Sequence, residues 1–176
     1  MSAAPRVYLA GPDVFLPDPM AAAETMRAAC AAAGLEGVFP LDAALVRMHE
    51  EPLTAFAARI RAANLDLIRG CAGVIANVSP FRGPSADDGT AYEMGFATAL
   101  GLPVFTWSSD TRSLLARTRD LIDLFAHGAD WRDAEGMLVE EFGLPVNLML
   151  VDPATGPVHP HFEAAVATAA ARLLTD

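Results

Sequence analysis

Three carboxylates meet at one junction of this chain: Asp87, Asp88 and Glu93 lie inside SPFRGPSADDGTAYEMGFATALG (79–101), where a loop crowded with Gly, Pro and Ser runs into an Ala-rich amphipathic stretch. Neighbouring carboxylates suit acid–base or nucleophilic work, because their proximity raises the pKa of one and leaves the other ionised. Glu93 falls about one turn into a helix that begins near Asp88, where free N–H groups and the helix dipole favour an ionised carboxylate, the form a nucleophile requires. A plainer account uses the same residues, since Asp, Ser and Glu in a first turn cap a helix with no chemistry implied. Gly89 and Gly95 tilt the balance toward a site, because glycine beside acids permits close backbone approach. A phosphate cradle is disfavoured: the Gly-Lys-Ser/Thr ending is missing and two adjacent acids oppose phosphate.

Other candidate groups carry less. His159 and His161 form His-Pro-His, but no third and fourth ligand stands at recognisable spacing, so no metal site and no cofactor is expected. Cys30 and Cys71 sit in no C-x-x-C pair and read as small core residues. Tyr8 by itself is a strand aromatic destined for the core. Trp131 reads as a packing anchor, and Arg82 as a group that pins its loop to an acid.

The elements that must position these residues follow from periodicity and punctuation. RVYLAG (6–11) is a short first strand closed by Gly-Pro, and MAAAETMRAACAAAG (20–34) is helical and stops at Gly34. GVFP is a candidate second strand. From Pro52 to Gly70, Phe56, Ile60, Ala63 and Leu67 make one apolar stripe of a second helix. GVIANV (73–78) and LPVFTW (102–107) have strand length and flank the helix that starts near Asp88, a unit that implies parallel strands. TRSLLARTRDLIDLFAHG (111–128) reads as a helix capped by Thr111 or Asp110, and HFEAAVATAAARLLTD as a final helix. The period of PVNLMLVD (145–152) decides neither strand, turn nor helix. The expectation is an α/β, flavodoxin-like or Rossmann-like doubly wound parallel sheet of about five strands in three α/β/α layers, forming a single domain over 1–176. In such a sheet ligands bind beyond the C-terminal ends of the strands, where the 79–90 loop emerges.

Composition bounds the partners. With 53% hydrophobic and 19% charged residues the chain is globular, and no uninterrupted apolar run is long enough for a membrane span. The N-terminus has too short an apolar run for a secretory signal, which makes the cytoplasm the default compartment. A net charge of −10 repels phosphate backbones, so nucleic acid is not an expected partner.

Taken together, YLAGPDVF (8–15), PLD (40–42), N-x-x-x-I (64–68), VIANVSPFRGPSADDGTAYEMGFATALGLPVF (74–105) and PVNLML (145–150) resemble the nucleoside 2-deoxyribosyltransferases over nearly the whole chain, with D-x-G-T-x-x-E (87–93) the most specific string. The resemblance implies a flavodoxin-like enzyme that moves a 2-deoxyribosyl group from a 2'-deoxynucleoside donor to a free nucleobase acceptor. It places Glu93 at the nucleophile, Asp87 at an acid that holds the nucleoside and Tyr8 at the tyrosine that orients the nucleophile. Asp66, with Asn64 beside it in the same motif, falls near a second substrate-contacting acid. Phe15 matches an aromatic that lines the base site, with Gly11 and Pro12 shaping its loop. Asn147 and Met149 match a segment that a neighbouring subunit inserts into the pocket, which implies a homo-oligomer, dimer-based or hexameric. Two rivals use the same crevice. A 2'-deoxynucleoside 5'-monophosphate N-hydrolase would employ the same Glu with water as acceptor, and Ser79, Ser85 and Arg82 could serve its phosphate; a non-catalytic nucleoside-binding module would leave Glu93 as a mere cap.

Overall fold

The computed structural model describes residues 3–175. Four parallel strands, β1 (Arg6–Ala10), β2 (Glu36–Val38), β3 (Gly73–Asn77) and β4 (Val104–Trp107), line up in the order β2-β1-β3-β4. Strands buried on both faces need apolar residues throughout, and β3 is buried at every position. Alternation along β1 sends Val7 and Leu9 to one face and Tyr8 and Ala10 to the other. Helices α1 (Pro19–Ala32) and α5 (Phe162–Leu173) cover the Val7–Leu9 face through Ala23, Met26, Cys30, Ala165 and Ala169. Helices α2 (Leu53–Arg69) and α3 (Asp88–Ala99) cover the Tyr8–Ala10 face through Leu65, Ile68, Met94 and Ala97. The result is the expected three-layer flavodoxin-like arrangement, and Tyr8 points toward α3.

Three local expectations are corrected. The fifth strand is reduced to one parallel bridge, in which His159 exchanges backbone hydrogen bonds with Thr106 and Ser108 at the β4 edge. Here His-Pro-His is structural: His159 bridges the edge and His161 Nδ1 caps α5 by accepting from Ala164 N at 3.3 Å. The helix expected over 111–128 is only α4 (Leu114–Arg119), capped by Ser113 rather than Thr111 or Asp110. Leu121 and Ile122, which would continue its apolar face, are exposed, and without a packing partner a short helix has little to propagate it. The chain turns instead into a hairpin of β5 (Phe125–His127) and β6 (Asp130–Arg132), with Gly128 at φ 65° in its turn. On α2 the packed face centres on Leu65 and Ile68, so the predicted stripe is displaced: Leu67 borders the core and Ile60 faces a cavity. The segment 145–152 holds a 3₁₀ turn, Leu148–Leu150.

Candidate active site

Chain direction brings the C-terminal end of β1, the loop after β2 and the start of α3 to one edge of the sheet, and a cavity of about 320 Å³ opens between them. That size suits a small-molecule site. Its lining joins Gly11, Val14 and Phe15 after β1, Pro40 and Leu41 after β2, Ile60 and Asn64 from α2, and Asp87, Gly89, Thr90 and Glu93 from the start of α3. None of these side chains carries a positive charge, and two are carboxylates.

Asp87 is the N-cap of α3, its Oδ2 accepting from Thr90 N at 2.9 Å and from Thr90 Oγ1 at 3.1 Å. The capping account is therefore true of Asp87, and it leaves the carboxylate facing the cavity. Gly89 leaves room beside it, since a Cβ there would stand 3.0 Å from Asp87 Oδ2 and press on the cap, whereas a Cβ at Gly95 would meet open space. Thr90 and Glu93, three residues apart, share the helix face that lines the cavity.

Tyr8, fully buried in β1, donates its hydroxyl to Glu93 Oε1 at 2.7 Å. The Glu93 carboxyl is raised to about 7: burial pushes it up most, the Tyr8 hydrogen bond pulls it back in part, and the Asp87 charge adds to the rise. The Tyr8 phenol is driven far above its ordinary value, first by burial and then by the neighbouring Glu93 charge, so it remains a donor at every ordinary pH. The pair thus supplies a poorly solvated carboxylate of near-neutral pKa with one fixed partner, which leaves the other oxygen available for an electrophile.

The walls are held by polar contacts outside the cavity. Asp42, in the 3₁₀ turn Pro40–Ala43, accepts from Phe39 N at 2.8 Å and pairs with Arg27, fixing Pro40 and Leu41. At the mouth, the Phe15 and Phe81 rings stack with centroids 5.4 Å apart, and the Arg82 guanidinium lies over both. Arg82 therefore pins its loop through aromatic faces rather than through an acid.

Of the residues singled out from sequence, Glu93, Asp87, Phe15, Gly11 and Asn64 line the cavity, Tyr8 reaches it through Glu93, and Pro12 begins the 3₁₀ turn (Pro12–Phe15) that carries Phe15. Asp66 does not belong: it lies on the exposed face of α2, paired with Arg69 at 2.6 Å, because two helix positions from Asn64 lead almost to the opposite side. Asn147 and Met149 lie away from the cavity of their own chain. Asn147 accepts from Met149 N at 3.0 Å and donates to Glu140 at 2.6 Å, while the Met149 side chain is 81% exposed. Val14, Pro40, Leu41, Ile60 and Thr90 were missed as cavity residues, although Thr90 stands inside the D-x-G-T-x-x-E string and Pro40–Leu41 in PLD.

Comparisons with known proteins give the chain a family and a fold. A family model described as nucleoside 2-deoxyribosyltransferase matches residues 7–149. An uncharacterized protein of Schizosaccharomyces pombe is 32% identical over 159 residues, 82% of this chain and 74% of that protein. A 2-desoxiribosyltransferase from Leishmania mexicana superposes with a TM-score of 0.76 at 36% identity, covering 96% of this chain and 99% of its own. A 2-deoxyribosyltransferase from Bacillus psychrosaccharolyticus shares the fold at 19% identity and a TM-score of 0.51, covering 89% of this chain and 98% of its own. The match to the family model over most of the chain, with the Leishmania structure superposing nearly end to end, establishes that this protein belongs to the nucleoside 2-deoxyribosyltransferase family.

Proposed function

We propose that the protein transfers the 2-deoxyribosyl group of a 2'-deoxynucleoside from one purine or pyrimidine base to another, with retention, through an ester on Glu93. The observation that carries this reading is the Tyr8–Glu93 hydrogen bond at the wall of a cavity lined by two carboxylates and no cation. In the first displacement the free Glu93 oxygen attacks the anomeric carbon, the C–N bond breaks, and the base departs with the electron pair and takes a proton. In the second, a nitrogen of the incoming base attacks the same carbon, the ester C–O bond breaks, Glu93 is restored as a carboxylate, and the N–H proton of the incoming base passes to Asp87 or to solvent. Tyr8 holds the carboxylate in one rotamer and stabilises the charge that returns to it. Asp87, anchored by Thr90, grips the nucleoside and is placed to relay the proton of the departing base.

The two carboxylates also disfavour a 5'-phosphate, which favours nucleosides over nucleotides and transfer over the phosphate-dependent hydrolysis. Asn147 and Met149 complete the site of a second copy in this reading. The exposed Met149 side chain and the distance of both residues from their own cavity support it.

The test is incubation with deoxyinosine and free cytosine, with and without the added base, repeated with deoxyinosine monophosphate. Deoxycytidine formed from the nucleoside supports the proposal. Hypoxanthine released equally with and without cytosine indicates a hydrolase, and no conversion indicates a binding module; either result overturns it.

A further inference from the structure

Beneath the cavity mouth a carboxylate and an amide meet for a reason that capping and chemistry at Glu93 leave open. Asn77, only 5% exposed at the end of β3, donates from Nδ2 to Asp13 Oδ2 at 2.9 Å, and its Oδ1 accepts from Ser79 N at 3.1 Å. Gly11 rests on this pair: a Cβ there would lie 2.8 Å from Asn77 Cβ and collide with Asp13 Oδ2. Asp13 belongs to the Pro12–Phe15 turn, and Ser79 opens the loop that carries Phe81 and Arg82. The two loops are therefore joined at two levels, by Asp13–Asn77 below and by the Phe15–Phe81 stack above, 17° from parallel, with the Arg82 guanidinium 4.5 Å from the Phe81 centroid and 5.5 Å from that of Phe15. Arg82 holds this place at φ 54°, a backbone conformation that a non-glycine residue adopts only when its surroundings impose it.

We propose that Asp13 and Asn77 are positioning residues acting through Phe15, whose ring they hold as the stacking face for the nucleobase. The inference rests on the transferase reading above. Phe15 is 59% exposed, and its ring is set by the anchored turn beneath it and by Phe81 and Arg82, whose loop starts at Ser79 on the same Asn77 anchor. Stacking energy depends on that plane and on the offset. Glu93 is held independently, by Tyr8 and by α3. Loosening the anchor should thus weaken base binding and leave the chemical step alone.

The experiment is steady-state transfer kinetics with a free nucleobase varied, beside thermal melting. Asp13→Ala removes the acceptor and should raise the KM for the base about tenfold, equivalent to about 1.4 kcal/mol, with kcat within about threefold of wild type. Asp13→Asn, whose amide oxygen can still accept from Asn77, should restore KM to within about twofold. In a Phe15→Leu protein, which itself binds the base more weakly, adding Asp13→Ala should change KM by less than about twofold, since residues acting as one unit are not additive. A second pair covers the case of a poorly folded alanine variant: Asn77→Asp sets two carboxylates face to face and should raise KM, and the exchange Asp13→Asn with Asn77→Asp should recover it. Unchanged KM in a folded Asp13→Ala protein, full additivity with Phe15→Leu, a loss confined to kcat, or failure of the exchange to rescue overturns the positioning role while the transferase reading stands. A wild-type protein that transfers no deoxyribose overturns both.

Discussion

Replacing Glu93 by Gln should abolish transfer and, above neutral pH, make the protein more stable. Glu93 titrates near 4.5 when exposed and near 7 when folded, and each pH unit of that difference is worth about 1.4 kcal/mol. Between those two values the folded protein binds a proton that the unfolded chain has released, so stability falls as pH rises from about 4.5 to about 7 and stays lower above it. The full difference amounts to about 3 kcal/mol stored against the fold at pH 8.5. Gln removes the charge and keeps an oxygen that can accept from Tyr8, but its amide N–H groups need partners in a half-buried site, which returns about 1 kcal/mol. A net gain of about 2 kcal/mol corresponds to a melting temperature higher by roughly 4–8 °C for a chain of this length. At pH 5, where Glu93 is protonated in the folded state, the gain should vanish or reverse. Differential scanning calorimetry of both proteins at pH 5 and 8.5, with transfer assayed in parallel, measures all of this. A Gln variant no more stable than wild type at pH 8.5, or one whose advantage is the same at both pH values, refutes the claim that a desolvated carboxylate is held there for function. Substantial transfer by the Gln variant refutes the ester.

The neighbours of Glu93 should move its titration in opposite directions. Tyr8→Phe removes the bond that pulls the Glu93 pKa down, so the acid limb of kcat/KM, expected near pH 7, should shift upward, with activity at pH 7 lower by about tenfold or more; a pH–rate profile checks it. Asp87→Asn keeps the cap on Thr90 but deletes the charge that raises Glu93, so the acid limb should move down with little change in melting temperature. Asp87→Ala should shift the limb the same way and also cost about 1 kcal/mol of cap, lowering the melting temperature by about 2–4 °C in calorimetry.

Strand length, helix period and turn residues sufficed to place β1, β3, β4, α1, α2, α3 and α5 within a few residues, because each carries its signal locally: apolar runs bounded by Gly or Pro, and Ala-rich helical stretches that end where packing ends. The same local information identified Asp87 and Glu93 as groups worth weighing, since cap and candidate nucleophile lie in one string. It misjudged 120–128, where the apolar period continues but nothing is available to bury it, and Asp66, where two positions of helix rotation separate a cavity wall from solvent. Sequence alone also left Tyr8 with two readings, core aromatic or partner of Glu93, and the fold buries it in the sheet with its hydroxyl on Glu93.

The chain by itself therefore determined which side chains could react, because residue type and helix position set a carboxylate's intrinsic chemistry. Only the tertiary structure decided that Glu93 loses most of its solvent, meets a tyrosine 85 positions away and looks into the same cavity as Phe15 and Asn64. Those outcomes depend on sheet order and on the face each strand residue takes, which arise from contacts between segments far apart in sequence rather than from any window of it.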